Sequence, residues 1–289
     1  MAAVSKRLAT NVPGDVFVDE ACIDCATCRW LAPATFDAAG EQSRVYRQPA
    51  TEAERHRALM AVVACPVAAI GTVEKADLGP ARTAFPDPID QNVYHCGYHA
   101  EVSFGAASYL IVRPEGNVMI DSPRFAGPLV RRIEDMGGIA ALFLTHRDDV
   151  ADHQRFRDHF GCERVLHADD ITRPTRGVER PIEGRDPVSL DDDLLVIPVP
   201  GHTRGSACLL YGERFLFTGD HLAWNPFERR LIAWKSVCWY DWAEQTASME
   251  RLAGHRFEWI LPGHGRRGHL PADAMAAAVH DLAGRMRTL

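Results

Sequence analysis

The sequence has no long apolar run. Its longest uncharged, mainly apolar stretch, "LMAVVACPVAAI" from Leu59 to Ile70, falls far short of the ~18–20 residues that span a bilayer, which argues against a membrane-embedded chain. There is no basic stripe either. The net charge is −7 and the pairs Arg229-Arg230 and Arg266-Arg267 stand alone, so no row of cations meets a phosphate backbone and nucleic acid is not the expected partner. The opening "MAAVSKRLATNVPGD" carries positive charge but no apolar h-region; a secretory signal is not expected, and the chain reads as cytoplasmic. Internal repeats and low-complexity tracts are absent. A hydrophobic content of 46% with 25% charged residues excludes disorder, collagen and coiled coil. At 289 residues, two globular domains are expected.

What the chain does have is cysteine, eight in all. In a reducing compartment these point to metal ligation or redox chemistry before disulfides. Cys22, Cys25 and Cys28 form C-x2-C-x2-C, a tight loop that can aim three thiolates at one cubane, and Cys65-Pro66 can supply the fourth. A structural zinc site would more often show two separate C-x2-C knuckles, and only one such cluster of thiolates exists. The remaining Cys96, Cys162, Cys208 and Cys238 lack ligand spacing and read as small buried hydrophobes, Cys96 the least clear because His95 and His99 flank it.

This cysteine pattern resembles the bacterial ferredoxins. Two-cluster members carry C-x2-C-x2-C-x3-C-P; here the fourth position of "CRWLAP" is Ala32, so the resemblance over residues 14–75 is to the single-cluster members. It implies one 4Fe-4S cluster held by Cys22, Cys25, Cys28 and Cys65.

From Glu74 to Gln91 the chain reads "EKADLGPARTAFPDPIDQ", proline-rich and without period, as a linker would be. The predicted organisation is a domain over 1–75, a linker over 76–90 and a larger domain over 91–289. In the last, short apolar runs ("SYLIV", "NVMID", "IAALFL", "LLVIPVP", "FLFTGD", "WILP") alternate with helical periods ("GPLVRRIEDM", "DHQRFRDHF", "WAEQTASMERLAG", "PADAMAAAVHDLAGRM"). That mixture implies two sheets with helices packed outside. Four loops at strand ends carry histidines and carboxylates: "THRDDVADH" (145–153), "GHTRGS" (201–206), "TGDH" (218–221) and "PGHG" (262–265). One Gly-His alone is a weak signal, but four at the polar ends of apolar strands point to a convergent metal site.

In order and spacing, the loops resemble the metallo-β-lactamase superfamily over residues 91–289. The implied fold class is α+β, a small ferredoxin-like domain followed by an αββα four-layer sandwich with one or two metal ions at its strand ends. Carried over by residue, the resemblance places His146 and His202 on a first metal and Asp152, His153 and His264 on a second. Asp220 bridges, and Asp152 and Asp220 take the catalytic positions. The superfamily's first motif is H-x-H-x-D-H, whereas this chain has H-R-D-D-V-A-D-H. Asp148 stands where the second histidine would be, two residues precede Asp152-His153 as an insertion, and Asp149 is the other candidate for the vacant ligand position. A carboxylate there hardens the site toward iron, with zinc and manganese as the other candidates. Flavodiiron proteins, a redox branch of the superfamily, also carry a carboxylate at that position and hold a di-iron centre.

Three functions are expected of such a chain. The first is redox chemistry on a small-molecule substrate at a metal centre fed by the cluster, with a redox protein as electron donor. The second is a metal-dependent hydrolase of an ester, thioester or lactam with a structural or regulatory cluster. The third is a non-catalytic redox sensor or electron-transfer adaptor. Arg204 and Lys235 are candidates for contact with an anionic substrate. The tryptophan-rich "HLAWNPFERRLIAWKSVCWYDW" (221–242) reads as core packing or as a flap.

Overall fold

Thr51 opens the first long helix, Glu52–Ala64: its hydroxyl accepts the Glu54 N–H at 3.1 Å, while the Glu54 carboxylate accepts the Ala50 N–H at 2.7 Å. One orphan donor of the first turn is thereby satisfied, and the residue before the cap is tied back to the helix. The helix buries Ala58, Met60, Ala61, Val63 and Ala64 and stops at Cys65, because the following Pro66 has no N–H to continue the ladder and disfavours helical geometry in the residue before it. Strand Val16–Val18 pairs antiparallel with Ile70–Thr72, Val16 opposite Thr72. The hairpin Phe36–Ala39 with Gln42–Val45 completes this region.

The structure, a computed structural model describing residues 2–289, divides into two units. The first comprises Met1–Val118, Pro123–Ile139 and Ala151–Phe156; the second comprises Met119–Ser122, Ala140–Val150 and Arg157–Leu289. Besides the cysteine region, the first unit holds the antiparallel strands Asp87–Asp90, Val93–His95 and Tyr109–Ile111 and the helix Gly127–Asp135. Proline density at 76–90 predicts a linker, yet the segment contains the helix Gly79–Thr83 and the strand Asp87–Asp90. Pro80 sits in the first turn of that helix, where a missing N–H costs nothing. Pro88 lies in a strand that is last in its sheet, where proline is tolerated.

In the second unit, strands Ala141–Phe143, Glu163–His167 and Arg180–Ile182 run parallel. A six-stranded sheet follows in the order Val188–Ser189, Leu194–Pro198, Ala207–Tyr211, Phe215–Gly219, Trp259–Pro262, Gly268–His269. Leu194–Pro198 and Phe215–Gly219 are both antiparallel to Ala207–Tyr211, and Phe215–Gly219 is parallel to Trp259–Pro262. All three therefore end at the same edge, which is why the loops carrying His202, Asp220 and His264 emerge together. The helices Trp242–Leu252 and Ala272–Met286 cover one face, burying Met249, Leu252, Met275, Val279, Leu282 and Met286 against Ile197, Leu216 and Ile260. At ~25 cal/mol per Å² of apolar area, this core gives the loops a rigid base. Among the described residues, no helix is long and apolar enough to cross a membrane.

Candidate metal and cluster sites

The four motif cysteines line one cavity in the first unit, together with Val18, Ile23, Thr27, Ser43, Pro66, Val67, Ala69 and Ile70. All four are free thiols. Cys25 lies between Asp24 and Ala26, both in left-handed backbone (φ 62° and 64°), which curls the loop before Cys28 enters the helix Thr27–Leu31. Backbone N–H groups reach the sulfurs, Ser43 to Cys22 at 3.4 Å and Ala69 to Cys65 at 3.3 Å. Burial pushes the Cys65 thiol up to about 11 and drives Cys28 up as well, with neighbouring cysteines adding to both. Four inward thiols with amide donors, packed too close to be comfortable as isolated thiolates, are a donor set that fits a 4Fe-4S cluster. Gly105 packs against Cys25: a Cβ there would lie 2.8 Å from Cys25 Cβ and 3.0 Å from its Sγ.

In the second unit, Asp220 follows the strand Phe215–Gly219 and stands among three imidazoles. His264 Nδ1 lies 2.8 and 2.9 Å from its two oxygens. His146 Nε2 is 3.9 Å from Asp220 Oδ2, and His202 Nε2 is 3.7 Å. These last two distances are too long for hydrogen bonds but near the edge of a coordination polyhedron with bonds of ~2.0–2.2 Å. His146 Nε2, His202 Nε2 and Asp149 Oδ2 are buried without a hydrogen-bond partner. Leaving such groups unsatisfied costs roughly 1–3 kcal/mol each, so three of them facing one carboxylate are a site that fits a cation.

The two aspartates that compete for one ligand position in the sequence go to different places. Asp148 Oδ2 lies 3.7 Å from His202 Nε2, and its side chain is 46% exposed. Asp149 Oδ2 lies 4.0 Å from His146 Nε2, and its side chain is 1% exposed. Two trios accordingly offer ligand atoms within 4.8 Å of one another: His146, Asp148, His202 and His146, Asp149, Asp220. Asp152 and His153 belong to neither. Asp152 accepts the Phe125 N–H at 2.7 Å and lies 3.6 Å from Arg155, and His153 begins the helix His153–Phe160 as a buried residue. Gly263 makes room for the arrangement, since a Cβ would sit 2.5 Å from Asp149 Oδ2 and 3.1 Å from Asp220 Oδ1.

Electrostatics follow from this crowding. Burial pushes the Asp149 carboxyl well above its usual range, and Asp220 adds to the effect. Burial would raise Asp220 too, but His264, then His146 and His202, outweigh it and hold that carboxyl low. Burial lowers His146 to about 4, so it presents a neutral ring. Its Nδ1 lies 2.9 Å from Thr145 Oγ1, which donates to Asp121 at 2.9 Å. With Nδ1–H donating to the hydroxyl, the lone pair on Nε2 faces the site, as metal-ligating histidines are usually oriented.

Sequence reasoning missed Asp170. Its carboxylate accepts Thr203 Oγ1–H (2.5 Å), Gly205 N–H (2.9 Å) and Arg147 N–H (3.0 Å), and so ties the "GHTRGS" loop to the loop of His146. The signal was a carboxylate pair ending the apolar run "RVLHADD". The tryptophan-rich segment supplies a rim. Trp239 donates its N–H to His202 O at 2.9 Å, its ring lies 6.2 Å from that imidazole, and it is 60% exposed. Trp234 would touch a Cβ on Gly265 at 2.7 Å. Lys235 is held by Leu289 O at 2.6 Å, and Arg204 lies 3.3 Å from Asp169.

Comparison with known proteins agrees with both halves. Residues 18–72 match the 4Fe-4S single cluster domain of ferredoxin I. Hydroxyacylglutathione hydrolase from Xanthomonas campestris pv. campestris is 28% identical over 117 residues, 39% of this chain and 45% of that protein. The match thus spans less than half of the relative's length. Among solved structures, the metallo-β-lactamase FIM-1 from Pseudomonas aeruginosa in its mono-zinc form superposes with a TM-score of 0.53 at 17% identity, covering 68% of this chain and 93% of that one. The DIM-1 metallo-β-lactamase gives 0.53 at 16% identity, covering 69% and 95%. The chain therefore joins a single-cluster 4Fe-4S domain of the ferredoxin type to a metallo-β-lactamase fold.

Proposed function

We propose that the protein is a metal-dependent oxidoreductase in which the centre around Asp220 holds one or two iron ions and receives electrons singly from the 4Fe-4S cluster. A small molecule is its substrate and a redox protein its electron donor. The observation that carries this reading is the donor set. His146, His202 and His264 are matched by the carboxylates of Asp148, Asp149 and Asp220, and oxygen-rich sites favour iron or manganese over zinc. Both trios fit an ion on the same grounds of distance and orphaned donor atoms. His146, Asp148 and His202 would hold an ion in the first trio and His146, Asp149 and Asp220 in the second; His264, outside both trios, would join through its contact with Asp220. Asp152 and His153 are left out of this set, since Asp152 is engaged with Phe125 and Arg155. A redox-active ion supplies single-electron steps and polarises bound substrate. The chain's own part is positional. Thr145 and Asp121 fix the His146 tautomer, Asp170 fixes the His202 loop, and Trp239 narrows the approach and limits water.

A hydrolytic reading is supported by the partial likeness to hydroxyacylglutathione hydrolase, and the test separates the two. Asp148→His makes the first trio nitrogen-rich. For a redox centre, the variant should retain more zinc relative to iron and slow reoxidation of the reduced cluster by roughly tenfold or more. For a hydrolase, it should keep or increase ester hydrolysis with unchanged reoxidation, which would overturn the redox reading.

A further inference from the structure

Residues outside the ferredoxin-like segment pack against the cluster cysteines, and one of them is a cation. Arg124 follows the run "NVMIDSP" in sequence, yet its Nε donates to His99 O at 2.7 Å. Its Nη2 donates to Val63 O at 2.9 Å and, more weakly, to Cys65 O at 3.4 Å. Its backbone N–H donates to Tyr98 O at 2.8 Å, and its guanidinium carbon lies 6.0 Å from the Tyr98 ring centroid. The three side-chain bonds all end on neutral carbonyls, and among the described residues Arg124 makes no ion pair. His99, whose carbonyl it grips, donates from Nδ1 to Gly105 O at 2.6 Å, and Gly105 is the residue packed on Cys25. Burial lowers the Arg124 pKa while Cys65 is the first of the groups opposing that fall. A guanidinium nevertheless stays charged under all ordinary conditions.

We propose that Arg124 sets the reduction potential of the cluster by holding a positive charge beside Cys65. This rests on the reading that the four cysteines bind a 4Fe-4S cluster. One-electron reduction adds one negative charge to the cluster and its thiolates. A fixed cation in a half-buried wall, screened less than it would be in water, stabilises the reduced form more than the oxidised one. Hydrogen bonds and nearby charge are among the determinants of such potentials. The helix Glu52–Ala64 ends beside the same residue, and its last carbonyls, Val63 and Cys65 among them, present partial negative charge to the guanidinium. This explains how the cation is held on neutral carbonyls, with the Asp152 carboxylate acting on it from beyond ion-pair distance.

The test is a potentiometric titration of anaerobically purified, cluster-loaded protein, followed by visible absorption and electron paramagnetic resonance. Arg124→Gln keeps donors for the carbonyls and removes the charge; Arg124→Lys keeps the charge with fewer donors. The glutamine variant should shift the reduction equilibrium against the reduced form at least tenfold, ~59 mV for one electron, and the lysine variant should stay within about threefold of the parent. Equal potentials in parent and glutamine variant would overturn the proposal, as would equal shifts in both variants. Loss of the cluster in Arg124→Gln but not in Arg124→Lys would still require the charge, whereas loss in both would make Arg124 a structural clamp and overturn it. A parent protein without an iron–sulfur chromophore would instead overturn the cluster reading.

Discussion

Asp149 and Asp148 are neighbours with opposite circumstances, and each should respond to substitution in its own way. Asp149 places a carboxylate in a dry pocket beside Asp220, a cost of several kcal/mol unless a cation joins it. In metal-stripped protein, Asp149→Asn should therefore raise the melting temperature by a few degrees, and in metal-loaded protein it should lower metal retention. Asp148 is about half exposed, so Asp148→Asn should leave the melting temperature of the stripped protein within about a degree. Calorimetry of both variants with and without chelator checks this; a destabilised, stripped Asp149→Asn protein would count against a metal role for that residue. The sequence offered both aspartates as candidates for the missing histidine position. It did not show that both come within reach of the histidines, one half-exposed and one buried, because that depends on how the five residues between His146 and Asp152 fold, and on Gly263, whose missing side chain leaves the space Asp149 uses.

At the level of elements, what could be read in advance was whatever carried its own period or its own punctuation. The loops "GHTRGS", "TGDH" and "PGHG" were legible from their position after apolar strands. Prolines misled where they serve inside elements, as at Pro80 and Pro88. The strand Glu163–His167 escaped notice because it begins with "ER", although Arg164 is 2% exposed. That arginine is buried at the cost of a partner: its backbone N–H and Nε reach Glu179 Oε2 at 2.9 and 3.0 Å, and its Nη2 reaches Glu179 Oε1 at 2.9 Å. The Arg164 hydrogen bonds hold the Glu179 carboxyl down at about 2. A carboxyl depressed on folding contributes stability above its unfolded value near 4.5, and that contribution is lost as pH falls toward 2. Glu179→Gln should thus cost ~1 kcal/mol at neutral pH, solvent around Glu179 screening the pair, with the difference from the parent shrinking between about pH 4.5 and 2. Urea titrations at several pH values would show it, and a difference independent of pH would refute the ion-pair account.

Over the whole molecule, the two candidate sites were legible as separate sets of residues because each set is local in sequence type: thiolates near the N-terminus, imidazoles and carboxylates beyond. Their surroundings were not. Arg124, His99 and Gly105 approach the cluster cavity from beyond the ferredoxin-like segment, and no spacing rule announces contacts made across that many residues. The proposed work of the chain, moving electrons from a cluster to a carboxylate-rich metal centre, makes one demand that a hydrolase does not: the second centre must hold iron. Mössbauer spectroscopy with elemental analysis of protein purified without oxygen measures this directly. The expected result is the four-iron cluster signal plus about one or two further high-spin irons per chain, the latter lost in His202→Ala and Asp220→Ala while the cluster signal persists. Four irons per cluster accompanied by about one or two zinc ions, with no iron beyond the cluster, would contradict the account.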